Sequence, residues 1–332
     1  MKKYYTRFML LLALLAGCAA PPDVVSDEED YIVIGLSQVG AESDWRIANS
    51  ESMKAVFTEE NGYELIFDDA RQKQENQIIA IRNFIQQDVD YIVLMPIVED
   101  GWDSVLQEAY DAGIPVILVD RDVSVSNPRL YTSHIGSNFY RESLIAMEWL
   151  ENSLTETGRA ADASFNIIHI QGTPGASAQV GRTAGLEQAI EKHDNWNLIA
   201  QENGDFTRPK TYEVMDGILS ALPPEQKIDM VYCENDNEAF GAIQALEEHG
   251  YQIGVEKGVI VISFDATRNG LRACMEGKIS FIVECNPLLG EMTEQTIQYL
   301  EHGESAARQQ YIYERGYASE DITEELLKMR EY

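Results

Sequence analysis

Tyr31-Ile32-Val33-Ile34-Gly35-Leu36-Ser37-Gln38 is a continuous apolar run that turns polar at its last two residues. Such a run fits a strand buried inside a parallel sheet, and the polar end is where strands of this kind meet ligands. Trp45–Asn61 reads as the helix that follows it and Tyr63–Phe67 as a second strand. A further helix starts near Gln72, with Ile78, Ile81, Phe84 and Ile85 as one stripe. Tyr91–Met95 and Val116–Val119 are strands bracketing the helix Trp102–Ala112. A second set begins near Asn138, with strands at Phe165–Ile170, Leu198–Glu202, Met230–Cys233, Val259–Phe264 and Phe281–Cys285. Its helices run over about Ser177–Lys192, Lys210–Ala221, Glu238–His249 and Thr267–Glu276, and Pro287–Glu301 follows the last strand. Strands alternating with amphipathic helices imply parallel sheets with helical crossovers. Two sets in series predict an α/β chain of two doubly wound domains.

Upstream of this block the chain opens with Lys2, Lys3 and Arg7, an apolar run from Phe8 to Ala16, and Leu15-Ala16-Gly17-Cys18. This is the pattern of a lipoprotein signal peptide over 1–17, with Cys18 as the lipidated residue. A membrane span needs roughly 20 apolar residues, and this run breaks at Pro21 and Pro22. Residues 18–30 are polar and end in Asp27-Glu28-Glu29-Asp30, the composition of a flexible acidic tether. The expected location is the extracytoplasmic face of the cell membrane, with the lipid as the only membrane contact.

The chain has 332 residues, 45% of them hydrophobic, enough for two full cores. It carries 25 basic and 56 acidic residues, a net charge of −31, which removal of Lys2, Lys3 and Arg7 takes to −34. That balance repels nucleic acid phosphates and anionic headgroups and favours a neutral or cationic ligand. With Cys18 lipidated, Cys233, Cys274 and Cys285 remain, an odd set at irregular spacing that implies buried free thiols rather than a disulfide framework. The five histidines have no spacing that makes a metal site, and no cofactor is expected.

The strand ends present Ser37 and Gln38, Asp120 and Arg121, Gln171, Asn235 and Asp236, Asp265, and Glu284. Carboxylates accept from hydroxyls, Arg and Asn donate to them, and aromatic rings cover C–H faces. Trp45, Phe206 and Phe139 are available as rings. The set suits a neutral sugar and is poor in nucleophiles.

Together with Ser43-Asp44-Trp45-Arg46, Gln72 to Gln77, Leu118 to Arg121, Gln171-Gly172-Thr173 through Arg182, Gly204 to Arg208, Asn235-Asp236 and Phe264-Asp265, the first strand resembles the sugar-binding proteins of ABC importers. The class is the ribose/galactose-type periplasmic binding proteins, and the Trp45-Arg46 pair with Gln72–Gln77 looks most like its galactofuranose-binding branch. The likeness covers Ile32 to about Tyr299. It implies the type I fold, with lobes 31–133 plus 285–312 and 134–284 plus 313–332 joined by a three-stranded hinge. The crossings fall near Thr132–Ile135, Glu284–Cys285 and Tyr311–Tyr313. It also implies hinge closure on a ligand and a monomeric receptor that delivers a monosaccharide to a permease. By position, Asp120 and Arg121 match sugar ligands of the first lobe, with Gln38 and Arg46 completing its wall. Trp45 and Phe206 match rings that sandwich the sugar. Arg182, Asn235 and Asp265 match the second lobe's polar ligands, and Glu284 sits where the chain returns through the hinge. Three positions depart from the family pattern: Ala266 where Gly is usual, Gly181 in place of a charged residue, and Asp44 in place of a small one.

Each feature also has a plainer reading. Asp120-Arg121 would serve as a surface ion pair, Trp45 as core, and Glu284 as a buried hinge carboxylate paired with an Arg. Gly172-Thr173-Pro174-Gly175 lacks the P-loop Lys and spacing and reads as a strand-to-helix turn. Gln72–Gln77 is either a solvated helix start or a source of supporting hydrogen bonds behind the cleft. Two other functions fit the same residues. A sugar sensor would dock the closed form onto a membrane kinase or chemoreceptor. A glycoside hydrolase would use two of Asp120, Asp265 and Glu284 as an acid/base pair. The strand-end set favours capture without chemistry, and so a protein that is not an enzyme.

Overall fold

A computed structural model describes residues 31–332; the signal segment, Cys18 and the acidic tether lie outside the described residues. The first half is built from β1 (Ile32–Gln38), α1 (Asp44–Val56), β2 (Tyr63–Asp69), α2 (Gln74–Gln86), β3 (Tyr91–Leu94), α3 (Asp103–Asp111), β4 (Val116–Val119) and β5 (Ser133–Gly136). The second is built from α4 (Phe139–Glu156), β6 (Phe165–Gln171), α5 (Ser177–Ile190), β7 (Trp196–Asn203), α6 (Arg208–Ala221), β8 (Met230–Cys233), α7 (Asp236–Glu248), β9 (Ile260–Asp265), α8 (Arg268–Met275) and β10 (Phe281–Glu284). The chain closes with α9 (Gly290–Glu301), β11 (Gln309–Tyr311), β12 (Gly316–Tyr317) and α10 (Glu324–Met329). Among the described residues, no helix is long and apolar enough to cross a membrane.

The strands form two six-stranded sheets, ordered β11-β5-β4-β3-β1-β2 and β12-β10-β9-β8-β6-β7. All pairings are parallel except β10 with β12. In each sheet the order reverses beside the first strand, between β1 and β3 and between β6 and β8. This is the doubly wound arrangement, whose ligand crevice lies beyond the carboxyl ends at that switch point. The expected fold of two doubly wound lobes is present. Apolar residues on both faces of each sheet explain the continuous hydrophobic runs: β3, β4 and β8 are buried at every position.

Three details differ from the sequence reading. The Trp45–Asn61 helix ends at Val56, where Phe57 turns out to pack edge-on against Tyr63 at 5.2 Å, and Glu59–Asn61 form a separate 3-10 turn. The stripe reading omits α4, although its buried residues Phe139, Glu142, Ser143, Ala146, Met147, Leu150 and Leu154 keep helical spacing. Polar Glu142 and Ser143 interrupt the apolar stripe on that face. Finally, Ser133–Gly136 pairs with β4 and β11 in the first sheet, so the first crossing follows Gly136 rather than residue 133. The other two crossings run between β10 and α9, which packs on α1, and between β11 and β12.

Candidate functional site

The carboxyl ends of both sheets face a cleft that is closed. Asp44 N–H donates to Asn237 Oδ1 at 3.3 Å, Glu99 N–H to Gly175 O at 2.8 Å, and Asp122 N–H to Ser177 Oγ at 2.9 Å, each bond joining the two lobes. Inside lies a cavity of about 280 Å³ lined by Glu42, Trp45, Arg46, Asp120, Arg121 and Phe139 on one side and Arg182, Phe206, Asn235, Asp265 and Cys285 on the other.

Local structure places each lining group. Ser43 caps α1 by accepting from Arg46 N–H, which sets Trp45 and Arg46 in the first helical turn at the cleft. Trp45 Nε1 donates to Cys285 O at 2.6 Å. Asn235 caps α7 and sends Nδ2 to Phe206 O at 3.1 Å. Asp120, Phe206 and Asp265 all hold positive φ, at 67°, 59° and 97°. Non-glycine residues persist in that region where surrounding structure fixes them, commonly at ligand sites. For Phe206 the fixing group is Glu238, whose Oε1 accepts from Phe206 N–H at 2.9 Å.

The first-lobe wall is an ion network. Arg46 Nη2 meets Asp120 Oδ2 at 2.6 Å, and Glu42 Oε1 accepts from Arg121 Nη2 at 2.6 Å and from Arg46 Nη2 at 3.3 Å. Burial opposes the Arg46 charge, but Asp120 and Glu42 outweigh it and hold its pKa above the ordinary value. At Arg121 burial prevails, helped by Arg46, and the pKa falls despite Glu42. In the second-lobe wall Arg182 Nε donates to Glu142 Oε2 at 2.8 Å, Nη1 bonds Glu234 O, and Nη2 stands 3.8 Å from Asp265 Oδ1. Burial pushes the Asp265 carboxyl well above its usual range, with Arg182 pulling the other way. Arg46 Nη1, Arg121 Nε, Arg182 Nη2 and Asp265 Oδ2 are buried without a hydrogen-bond partner among the described residues. Buried polar atoms are nearly always paired, and these donors and this acceptor are exceptions on the cavity wall.

Eight of the ten sequence-predicted residues therefore meet at the cavity: Trp45, Arg46, Asp120, Arg121, Arg182, Phe206, Asn235 and Asp265. Two do not. Gln38 turns into the first lobe, with Nε2 on Asn49 Oδ1 at 3.0 Å and Ser50 Oγ at 3.1 Å, while Oε1 accepts Val39 N–H. Glu284 is taken by Arg330, by Tyr317 Oη at 3.1 Å and by Tyr332 Oη at 3.2 Å, the paired hinge carboxylate of its plainer reading. Trp45 and Phe206 line the cavity, and each ring has an arginine over it: Arg46 at 4.7 Å and Arg121 at 5.0 Å. Glu42 and Cys285 are lining residues that the sequence reading omitted. Gln77 supplies the supporting bonds expected of its segment: Nε2 reaches Met95 O at 2.7 Å and Oε1 accepts Ile97 N–H, and Ile97 O in turn accepts from Arg121. Cys233, Cys274 and Cys285 are free and buried.

The departures acquire physical meaning. Ala266 has φ 54°, a conformation that glycine adopts without strain. A Cβ at Gly181 would stand 2.8 Å from Phe139 Cβ, so a larger residue there would force α5 off α4 and move Phe139. Asp44 supplies the backbone bond to Asn237 across the cleft.

The chain is similar to proteins of known family. A family model described as a periplasmic binding protein domain matches residues 34–314. The galactofuranose-binding protein YtfQ of Escherichia coli (strain K12) is 38% identical over 256 residues, covering 77% of this chain and 78% of that one. A crystal structure from Mycobacterium smegmatis in complex with β-D-fucofuranose is 39% identical, with a TM-score of 0.81 over 87% of this chain and 92% of that one. The periplasmic binding protein of the arabinose ABC transporter from Shewanella sp. ANA-3, bound to α- and β-L-arabinofuranose, is 37% identical, with a TM-score of 0.82 over 90% and 95%. With its two doubly wound lobes closed over a polar cavity, the chain belongs to the periplasmic binding protein family.

Proposed function

We propose that the chain is an extracytoplasmic receptor that captures one furanose sugar, galactofuranose or a close relative, and delivers it to an ABC permease without chemistry. The observation behind this reading is the set of unpartnered buried atoms, Arg46 Nη1, Arg182 Nη2 and Asp265 Oδ2, on the walls of a closed inter-lobe cavity. The three arginines of the wall are matched by three carboxyl groups: Arg46 and Arg121 by Glu42 and Asp120, and Arg182 by Glu142. That balance suits a neutral guest rich in hydroxyls, since an added net charge would be buried without a counter-ion. The rings of Trp45, Phe139 and Phe206 on the cavity wall suit the C–H faces of a sugar. The relatives above bind furanoses, which directs the choice of ring form. Cys18, after Leu15-Ala16-Gly17, is the proposed lipid attachment, and the receptor acts as a monomer.

A thermal-shift screen tests the ligand class, because a guest bound only by the native state raises the melting temperature with concentration. The expected result is a shift with galactofuranose, fucofuranose or arabinofuranose and none with a charged sugar phosphate. No shift with any monosaccharide would overturn the reading. Mass spectrometry of the protein from cell membranes tests the anchor: a diacylglyceryl group on Cys18 is expected, and an unmodified Cys18 would contradict it.

A further inference from the structure

The hinge holds ionisable groups that the cavity wall does not use. Ser137, Asn286 and Glu314 lie one on each crossing, and Glu314 ties them together: its Oε1 accepts from Ser137 Oγ at 2.7 Å and from Asn286 N–H at 2.9 Å. Glu142, on α4 of the second lobe, faces it. One carboxyl oxygen from each and the Cys285 thiol lie within 4.8 Å of one another. Glu142 is 1% exposed, and its Oε1 has no partner while Oε2 holds Arg182 Nε. Two buried carboxylates this close are not both ionised unless a second cation compensates them, and Arg182 also serves Glu234 O and stands beside Asp265.

We propose that Glu142 and Glu314 share one proton and so act as a positioning pair that links the three hinge crossings to Arg182 in the sugar cavity. The proton sits on Glu314 and is donated to the unpartnered Glu142 oxygen. The other Glu142 oxygen, Oε2, stays the acceptor for Arg182 Nε. The inference rests on the sugar-capture reading for its binding consequence only.

The charge environment agrees with this arrangement. Burial first, then Glu142, pushes the Glu314 carboxyl up to about 9, with Ser137 and Asn286 pulling it down. The ionisable groups around the pair are Cys285 on the second crossing, Arg182 on α5 and Asp265 on β9. Burial holds the Cys285 thiol well above its ordinary range, so it stays neutral alongside. Arg315, next in sequence to Glu314, lies over the Tyr317 ring at 4.6 Å, and Glu284 is paired with Arg330.

The test has two readouts on the purified protein. Infrared difference spectra at pH 8 between wild type and Glu314→Gln should show a protonated-carboxyl band in wild type alone. The part of the wild-type band that Glu314→Gln removes should vanish on a jump above pH 10, whereas any band from Asp265 is common to both proteins. In calorimetric titrations with methyl β-D-galactofuranoside, wild-type affinity should hold from pH 6.5 to 8 and fall about tenfold per unit once pH exceeds the Glu314 value of about 9. Glu314→Gln, which keeps a neutral donor, should bind as wild type at pH 7 and show no such fall. The proposal is overturned by the absence of a protonated-carboxyl band from the pH 8 difference spectrum, by identical pH profiles for the two proteins, or by one zinc ion per chain that Glu142→Gln removes. If the furanoside binds at no pH, the capture reading fails while the infrared band still decides whether the proton is shared.

Discussion

Gly172→Ala probes how tightly the Phe206 ring is held. A Cβ at residue 172 would stand 1.9, 2.1 and 2.4 Å from Phe206 Cζ, Cε1 and Cε2, whereas ordinary contact begins at 3.4 Å. The ring tip must therefore retreat by about 1.5 Å, the difference between 3.4 and 1.9 Å. Its backbone is not free to follow, being tied to Glu238 Oε1 and Asn235 Nδ2 at φ 59°. Overpacking of this kind costs about 1–3 kcal/mol, and in a chain this long each kcal/mol lowers the melting temperature by roughly 2–4 °C. Because the displaced ring lines the sugar cavity, the furanose affinity should also fall at least about tenfold, equivalent to ~1.4 kcal/mol. Gly217→Ala is the control: it lies in α6, and nothing stands within 4 Å of its added Cβ. That substitution should raise stability by about 0.4–1 kcal/mol and leave binding unchanged. Melting curves with and without sugar measure both variants. A Gly172→Ala protein with wild-type melting temperature and affinity would refute the placement of the ring.

Other perturbations follow from the same geometry. Glu42→Gln removes the charge that Arg46 and Arg121 share, so calorimetry should show at least about a tenfold loss of sugar affinity and melting should fall by several degrees; unchanged behaviour would exclude Glu42 from the wall. For Asp265, burial raises the folded-state pKa above the unfolded one, so its contribution to stability is present at low pH and lost as pH rises. Asp265→Asn should thus melt no lower than wild type at pH 7 while its sugar-induced shift shrinks, and a lower melting temperature with an undiminished shift would contradict this. The same sign holds for Asp236, raised to about 6, and Glu314, raised to about 9, in both cases chiefly by burial. The unliganded protein should therefore lose stability steadily from pH 5 to pH 9, and a melting temperature that rises over that range would be incompatible with these carboxyl environments. Ala266→Gly relieves a left-handed backbone at the cost of unfolded-chain entropy, so a gain of at most about 1 kcal/mol is expected; a clear loss of stability on denaturant melting would argue against strain there.

Much of this architecture is legible in the amino-acid order because burial on both faces makes each central strand an unbroken apolar run, as in Tyr91–Leu94 and Met230–Cys233. The polar residue that ends such a run stands at the crevice, which is how Asp120 and Asp265 declare themselves. The same rule fails at Gln38 and Glu284. A strand end fixes a position along the sheet but not the direction of a side chain, and both turn to partners 11 or more residues away in sequence. Glu42 sits in a short loop with no periodicity to mark it. Its signal is one of charge: two arginines at one wall, Arg46 and Arg121, need more than Asp120 to compensate them. The α4 helix escapes a reading by apolar stripes because Glu142 and Ser143, polar and buried, occupy the face that packs inward. Those partnerships are made across the hinge, between residues such as Glu142 and Glu314 that are far apart in the chain.

The central claim is that eight side chains from two lobes enclose one neutral furanose. Isothermal titration of the purified protein with galactofuranose, alongside Asp120→Ala, tests it most directly. The expected result is one saturable site in wild type, and none in a variant whose circular dichroism and melting still report a folded chain. Absence of any furanose binding by the wild type, or undiminished binding by Asp120→Ala, would contradict the account.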